Sequence, residues 1–463
     1  MNAGIIKKSA IYLVGNFSSK ILMAIIIPIY AFYVQSSDLG YFDYSQTIMY
    51  IAVPIAFFSV WEAILKFTID DKYQKSDIIN SAILLSIGAC SLITVGVLVA
   101  DLIFDIQHLA YIALMFVTYG LVQIWQYAAR GLDSSKVYVA SGIVGTVVNF
   151  GAILVLVVWM KIGLHGLFIS YILSQVATFF TIELKLHLLG GIRIRRDSLG
   201  LLKKMAIFSA PLTLNSISGW LFTGFSRVVI NSRLGTYENG LYAFANKFAI
   251  VISMLGTVIT MAVVEEAIIA SKDKSKSASE GKNTSELYVA VISVATAVIP
   301  AIKLFYDLIA ESEYYSSFIY VPFLLLYASL ITLASNIGAQ FQALEITKYQ
   351  FITTVIGSAV TVALSLIFVD RYGVIAVIIA QVVGAVVMAI SRYVIVKRYI
   401  PYKMGWLKML LSTAVYVILS ILCLNATPLI ACLLMLLAII AMAAFNYKVI
   451  LAFVKRKKTT DQV

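Results

Sequence analysis

Fourteen times along this 463-residue chain, a run of about twenty apolar residues passes with few or no charges. The hydrocarbon core of a bilayer needs roughly 20 such residues per helix. Without water, each run has to satisfy its backbone N–H and C=O groups internally, as a helix does. The runs fall at 10–33, 41–65, 77–100, 109–129, 138–160, 164–184, 206–230, 240–264, 286–306, 318–342, 350–369, 373–396, 405–424 and 428–450. A soluble fold is excluded: 61% of residues are hydrophobic and 13% charged, against roughly 45–50% and ~25% in an ordinary globular chain. The expected fold class is an all-α polytopic membrane protein of about 14 transmembrane helices. The first run exceeds the ~7–15 apolar residues of a secretory leader and reads as a retained helix.

The cations give the orientation. Of 35 Lys and Arg, 27 fall in alternate loops or at span ends on one side, three (Lys161, Arg233 and Arg371) fall on the other, and five lie within spans. Lys and Arg accumulate on the cytoplasmic side, so both termini are expected in the cytoplasm. The net charge of +12 is thus mainly a topology signal. Nucleic acid is an unnecessary partner, and the basic tail at 455–458 suits anionic lipid headgroups. Cys90, Cys423 and Cys432 lie in apolar runs without C-x-x-C spacing and speak for neither a disulfide framework nor zinc.

The chain also repeats itself. Leu132-Asp133-Ser134-Ser135-Lys136 corresponds to Leu344-Glu345-Ile346-Thr347-Lys348, and Gly145 to Gly357, at the same offset; Gly163 pairs with Gly373, Lys7-Lys8 with Lys203-Lys204, and Gly40-Tyr41-Phe42 with Gly240-Leu241-Tyr242. Two parallel six-helix lobes follow, 1–198 (helices 1–6) and 199–400 (helices 7–12). Residues 401–463 carry helices 13–14 and the basic tail. Parallel repeats of this kind characterise transporters that hold substrate between lobes and alternate access by rocking.

Polar residues inside spans carry the functional expectation, because each cation costs roughly 2.5–3.5 kcal/mol at a helix centre. Arg392, about one turn from an inner end, is expected to snorkel to the interface. Lys303 and Asp307, and likewise Glu62 and Lys66, are expected to form i, i+4 pairs. Lys20, with Asn16 one turn before it, lies ~15 Å into its span and reads as a lumen position. Ser216, Trp220, Thr223, Arg227 and Asn231 share one face of the seventh span. Tyr119, Gln123, Gln126 and Arg130 share one of the fourth, and Asn246 and Lys247 add an amide and an ammonium in the eighth. Unpaired polar groups do not face lipid. Either these stripes bond helix to helix in a dry bundle, or they line a lumen.

As a lumen, Arg130, Lys20, Lys247 and Arg227 make a cationic ladder across the bilayer. Such a ladder suits an anion, phosphate above all. Carboxylates within spans are fewer and peripheral: Asp43, Glu183, Glu265 and Glu266. There is no P-loop or HExxH motif, and His108, His165 and His187 lack ligand spacing, so no cofactor or metal is expected. The short outer loops leave no room for a folded catalytic site, which opposes a polysaccharide polymerase or transferase.

Lys7-Lys8 before the first helix, Leu39-Gly40-Tyr41-Phe42-Asp43-Tyr44, Trp61-Glu62-Ala63-Ile64-Leu65-Lys66-Phe67 and Ala128-Ala129-Arg130-Gly131-Leu132-Asp133 resemble bacterial oligosaccharide flippases of the Wzx type. That family shares a superfamily with multidrug exporters (MATE) and lipid II flippases. The resemblance implies a V-shaped pair of six-helix lobes and no enzymatic activity. It also implies export of an undecaprenyl-diphosphate-linked repeat unit for capsule or O-antigen, with a polysaccharide polymerase and chain-length machinery as partners. The alternative is a cation-coupled multidrug exporter using Asp43 or Glu265 as coupling acid. The first helix carries Asn16 and Lys20 where a drug exporter would offer a carboxylate, which weighs against it.

Overall fold

A computed structural model describes residues 25–69, 72–191, 196–271 and 280–460. Among them every regular element is helical: α1 (25–33), α2 (Ser36–Ala56), α3 (Val60–Ile69), α4 (Lys75–Phe104), α5 (Leu109–Gly131), α6 (Ser135–Ile153), α7 (Gly163–Leu186), α8 (Arg196–Thr223), α9 (Phe225–Leu234), α10 (Thr236–Ser271), α11 (Glu280–Leu308), α12 (Val321–Ala343), α13 (Lys348–Val396), α14 (Trp406–Leu424) and α15 (Pro428–Thr460). Ten helices are long and apolar enough to cross a membrane, or eleven when α2 and α3 count as one bent span. Each expected span from the second onward falls on helix: the second runs over α2 and α3, the seventh over α8 and α9, and each of the others lies largely within a single helix. Of the first, only its end, in α1, lies among the described residues.

Several spans depart from straight rods, the seventh among them, interrupted at Gly224 between α8 and α9. The second breaks at residues 57–59 with a 55° bend. Pro54 lacks an N–H to donate there, and Phe58 and Ser59 adopt φ of 50° and 45°. The fifth ends in a π-helical turn, Leu154–Trp159, continuous with α6. The eleventh and twelfth join in α13, where Gly373 (φ 63°, ψ −149°) is the one non-helical residue.

The chain forms two compact units, Met1–Trp220 and Leu221–Val463. In the first, α5 packs on α3, α4 and α7, and α6 on α7; in the second, α12 packs on α10, α11 and α13, while α14 and α15 lean on α11. The apolar window of the segment Glu313–Ala343, which contains α12, is 67% buried, against 17% for Pro428–Tyr447. So α12 is the core of its unit and α15 an outer helix. The outward surface is itself apolar: Leu102, Trp159 and Leu308 are 87%, 80% and 79% exposed, as lipid-facing side chains are. Inside, small residues let helices approach. A Cβ on Gly145 would lie 2.2 Å from Thr178 Oγ1.

The internal repeat persists at the level of single dihedrals. Asp133 and Glu345 both turn left-handed (φ 59° and 58°), as do Gly163 and Gly373 (φ 52° and 63°). The closing bonds match too. Leu132, Asp133 and Ser134 donate to Ala128, Arg130 and Ala129 carbonyls, and Leu344, Glu345 and Ile346 to Gln340, Gln342 and Phe341. Gly145 faces the Ser174 carbonyl, as Gly357 faces that of Gly384.

Candidate functional site

In the first unit, the expected face of α5 carries Gln123, Gln126 and Arg130, all half-buried. The Arg130 guanidinium lies over two rings, 5.0 Å from the centroid of Tyr127 and 5.7 Å from that of Tyr138. Ring faces attract a cation through their quadrupole yet accept no N–H hydrogen bond in its plane, so they hold the charge and leave its forked donors for another acceptor. Among the described residues no carboxylate pairs with Arg130. Glu62 accepts instead from the hydroxyl of one of those rings, Tyr127, at 2.8 Å. Its expected pairing with Lys66 does not form; Lys66 is exposed. The carboxylate reaches across to α5 instead of along its own helix, and fixes the ring on which Arg130 rests.

Glu183, a peripheral acid in the sequence, is fully engaged. It accepts from the Trp125 indole at 2.8 Å and from the Leu189 backbone N–H at 3.0 Å. Asp43 is half-buried on α2. On α8, Trp220 donates its indole N–H to the Thr47 carbonyl at 2.7 Å, so this member of the seventh-span stripe serves helix-to-helix bonding. Asn16 and Lys20 lie outside the described residues.

In the second unit, Arg227 on α9 sits 5.5 Å from the Tyr242 ring centroid and donates to the Thr223 carbonyl at 3.2 Å. Tyr242 and Gln381 exchange hydrogen bonds at 3.2–3.3 Å, tying α10 to α13. Asn246 and Lys247 follow about one turn further along α10, both half-buried. Glu265 belongs to α10, and its side chain is outside what is described.

Two other in-span cations prove to be structural. Arg392 does not snorkel. It is 4% exposed and donates to the Ala334 carbonyl (2.7 Å) and to the Thr353 and Thr354 hydroxyls (3.1 and 3.0 Å). Three neutral acceptors across α12 and α13 hold the fork inside the unit, which removes any need to reach the interface. Lys303 does pair with Asp307 as expected, but buried, beneath the rings of Tyr315 and Phe318 at 5.8 Å.

Sequence spacing missed two groupings. His108 and His165 meet at the start of α5 and α7 with ring centroids 4.9 Å apart. Gln381, a lone amide in an apolar run, was the available signal for the Tyr242 contact. Among the described residues no three His, Cys, Asp or Glu side chains converge as a metal site.

What the geometry defines is a polytopic helical membrane protein of two units. Each presents arginine on tyrosine faces together with neutral amides. The family described as "Polysaccharide biosynthesis protein" matches residues 5–264, and the chain belongs to that family. Among solved structures, the lipid II flippase MurJ in an inward closed conformation is similar over 95% of this chain and 100% of its own, at 15% identity and a TM-score of 0.67. A multidrug resistance MATE family transporter of the MOP superfamily, inward-facing, is similar over 82% of this chain and 98% of its own, at 17% identity and a TM-score of 0.55. Its outward-facing counterpart gives 18%, coverage of 85% and 94%, and 0.52. The polytopic fold is therefore the one these transporters share. No curated protein matches the chain in sequence.

Proposed function

We propose that this protein is a flippase. It moves an undecaprenyl-diphosphate-linked oligosaccharide repeat unit from the inner to the outer leaflet of a bacterial plasma membrane, for capsule or O-antigen assembly. On this reading, lobes 1–198 and 199–400 alternate access to a cationic lumen, helices 13–14 are appended, and both termini are cytoplasmic. A polymerase and chain-length machinery receive the product. No covalent chemistry is performed on the substrate.

The observation that carries the reading is Arg130. Its charge is held by two ring faces at the inner end of α5, with donors directed at no carboxylate among the described residues. A diphosphate arriving from the cytoplasmic leaflet is the acceptor such a fork matches in plane and charge. In the second unit Arg227 likewise lies over a tyrosine ring, that of Tyr242, with one donor on the Thr223 carbonyl.

The test is leaflet translocation of a lipid-linked oligosaccharide by the full chain in proteoliposomes. Arg130→Ala is expected to slow flux roughly tenfold or more, the value of one charge-assisted hydrogen bond of about 1.5–3 kcal/mol. Arg130→Lys should recover part of it, since the charge returns without the fork. Full flux in Arg130→Ala sinks the assignment of this residue. A cation-coupled exporter is the competing outcome: efflux of a cationic dye that Asp43→Asn abolishes, with no oligosaccharide translocation, would establish it.

A further inference from the structure

Phosphate is only one end of such a substrate, and the cations do not account for a second cluster in the first unit. Tyr50 on α2, Tyr119 on α5 and Tyr171 on α7 converge. The Tyr50 and Tyr119 rings meet edge to face at 5.5 Å. The Tyr171 hydroxyl donates to the sulfur of Met49, the residue before Tyr50, at 3.8 Å, and Gln123 and Gln175 follow Tyr119 and Tyr171 by one turn on the same helix faces. Counted at 1.5 Å per residue from the first residue of each helix, the three tyrosines lie ~12–21 Å below the outer ends of their helices, the middle of a bilayer. Tyr50 is nonetheless 47% exposed, and the other two are partly so.

Two readings compete for partly exposed phenols at that depth. Facing lipid, three hydroxyls and two carboxamides would border hydrocarbon, which offers them no hydrogen bond. Facing a polar passenger, the same groups are matched to it. A pyranose ring has a face of C–H bonds bordered by hydroxyls that both donate and accept. Aromatic faces carry the negative end of a quadrupole that C–H bonds approach favourably. Phenol and carboxamide are the uncharged side chains that donate and accept together. The cluster's own side chains bear no charge, which separates it from Arg130 about two turns along α5. An organic cation would also stack on these rings, but no carboxylate belongs to the cluster. Glu62 and Glu183 are committed to Tyr127 and to Trp125.

We infer that Tyr50, Tyr119 and Tyr171, with Gln123 and Gln175, form a saccharide-binding surface in the first unit, where neutral sugar rings stack and hydrogen-bond during passage. The inference rests on the flippase reading and adds a site for the glycan, distinct from the cations that receive the diphosphate.

The experiment uses the full chain in lipid nanodiscs and three probes. These are the neutral trisaccharides maltotriose and chitotriose, followed by saturation-transfer NMR; pyrophosphate, followed by phosphorus line broadening; and tetraphenylphosphonium. Saturation is expected to reach the sugar C–H protons of at least one trisaccharide. Tyr119→Ala and Tyr50→Ala should weaken that binding about three- to tenfold, the value of one aromatic contact. Tyr119→Phe, which keeps the ring and the fold, should retain most of it, and pyrophosphate broadening should persist in every variant. No saturation of either sugar by the wild type, or equal saturation in both alanine variants, overturns the inference. So does a response to tetraphenylphosphonium that alone disappears in those variants, which would make the cluster an organic-cation site. Oligosaccharide translocation by the same wild-type preparation separates the two failures. If translocation persists with silent sugar probes, only the saccharide surface is lost; if it is absent, the flippase reading goes with it.

Discussion

Arg392 illustrates how a charge can be buried in this protein without a counter-ion. The Thr353 and Thr354 hydroxyls that accept from it donate in turn to the Tyr349 and Gln350 carbonyls of their own helix. Removing the guanidinium would therefore leave no donor stranded, only acceptor lone pairs. Burying the ion is the larger cost, and an apolar side chain of similar length often replaces a buried charge at no loss. Arg392→Met is accordingly expected to unfold within a few degrees of wild type. Arg392→Lys, an equally desolvated point charge that cannot reach three acceptors at once, should lose about 2 kcal/mol. Thermal unfolding in detergent orders the three proteins, and a lysine variant as stable as wild type would contradict the geometry. Gly338 belongs to the same arrangement, since a Cβ there would meet Arg392 Nη1 at 2.6 Å.

At the scale of elements, the break between α2 and α3 depends on a partner 63 residues away. Phe57 is fully buried, and a Cβ on Gly120 would fall 2.4 Å from its ring. The ring at the bend thus occupies the space that glycine leaves on α5. Gly120→Ala is expected to destabilise by about 1–3 kcal/mol through overpacking, and Phe57→Leu in the same chain should return part of it. Denaturation midpoints of the two single variants and the double variant measure the coupling; additive losses would separate Phe57 from Gly120.

This pair also marks the boundary of what the sequence discloses. The spans were legible because twenty apolar residues without charge have one stable solution in a bilayer. Two pairs of the repeat's landmarks, Asp133 with Glu345 and Gly163 with Gly373, are positions of positive φ, where backbone geometry restricts the residue. The bend was not expected, since 41–65 read as one span; Pro54 was the available signal for it, and the left-handed Phe58 and Ser59 accompany packing between distant helices. The same holds in the candidate site. Spacing placed Arg130, Gln123 and Gln126 on one face. It could not foresee Glu62 crossing to Tyr127, or Arg392 finding hydroxyls on its neighbours, because these depend on which faces meet.

For the molecule as a whole, charge asymmetry and proposed mechanism are linked by the membrane potential. If both termini are cytoplasmic, single cysteines introduced at Lys136 and Lys348 should be labelled by an impermeant maleimide only after the membrane is opened, and one at Lys161 in intact cells. The reverse pattern would invert the direction of transport. In that orientation, the diphosphate headgroup of the proposed substrate, carrying about two negative charges, would gain ~2.3 kcal/mol per charge per 100 mV on moving out of an inside-negative cell, about 4.6 kcal/mol in all. Cationic side chains that travelled the full span with the substrate would cancel that gain. Side chains fixed to the helices, as Arg130 and Arg227 are by ring contacts within their own units, would on the proposed mechanism hand the anion on and leave its charge to the field. Net outward flux in proteoliposomes is therefore expected to rise with an imposed inside-negative potassium diffusion potential and to reverse with its sign, without a proton or sodium gradient. Flux that ignores the potential and follows a cation gradient would replace this account with a coupled one, in which Asp43 or Glu265 titrates during the cycle.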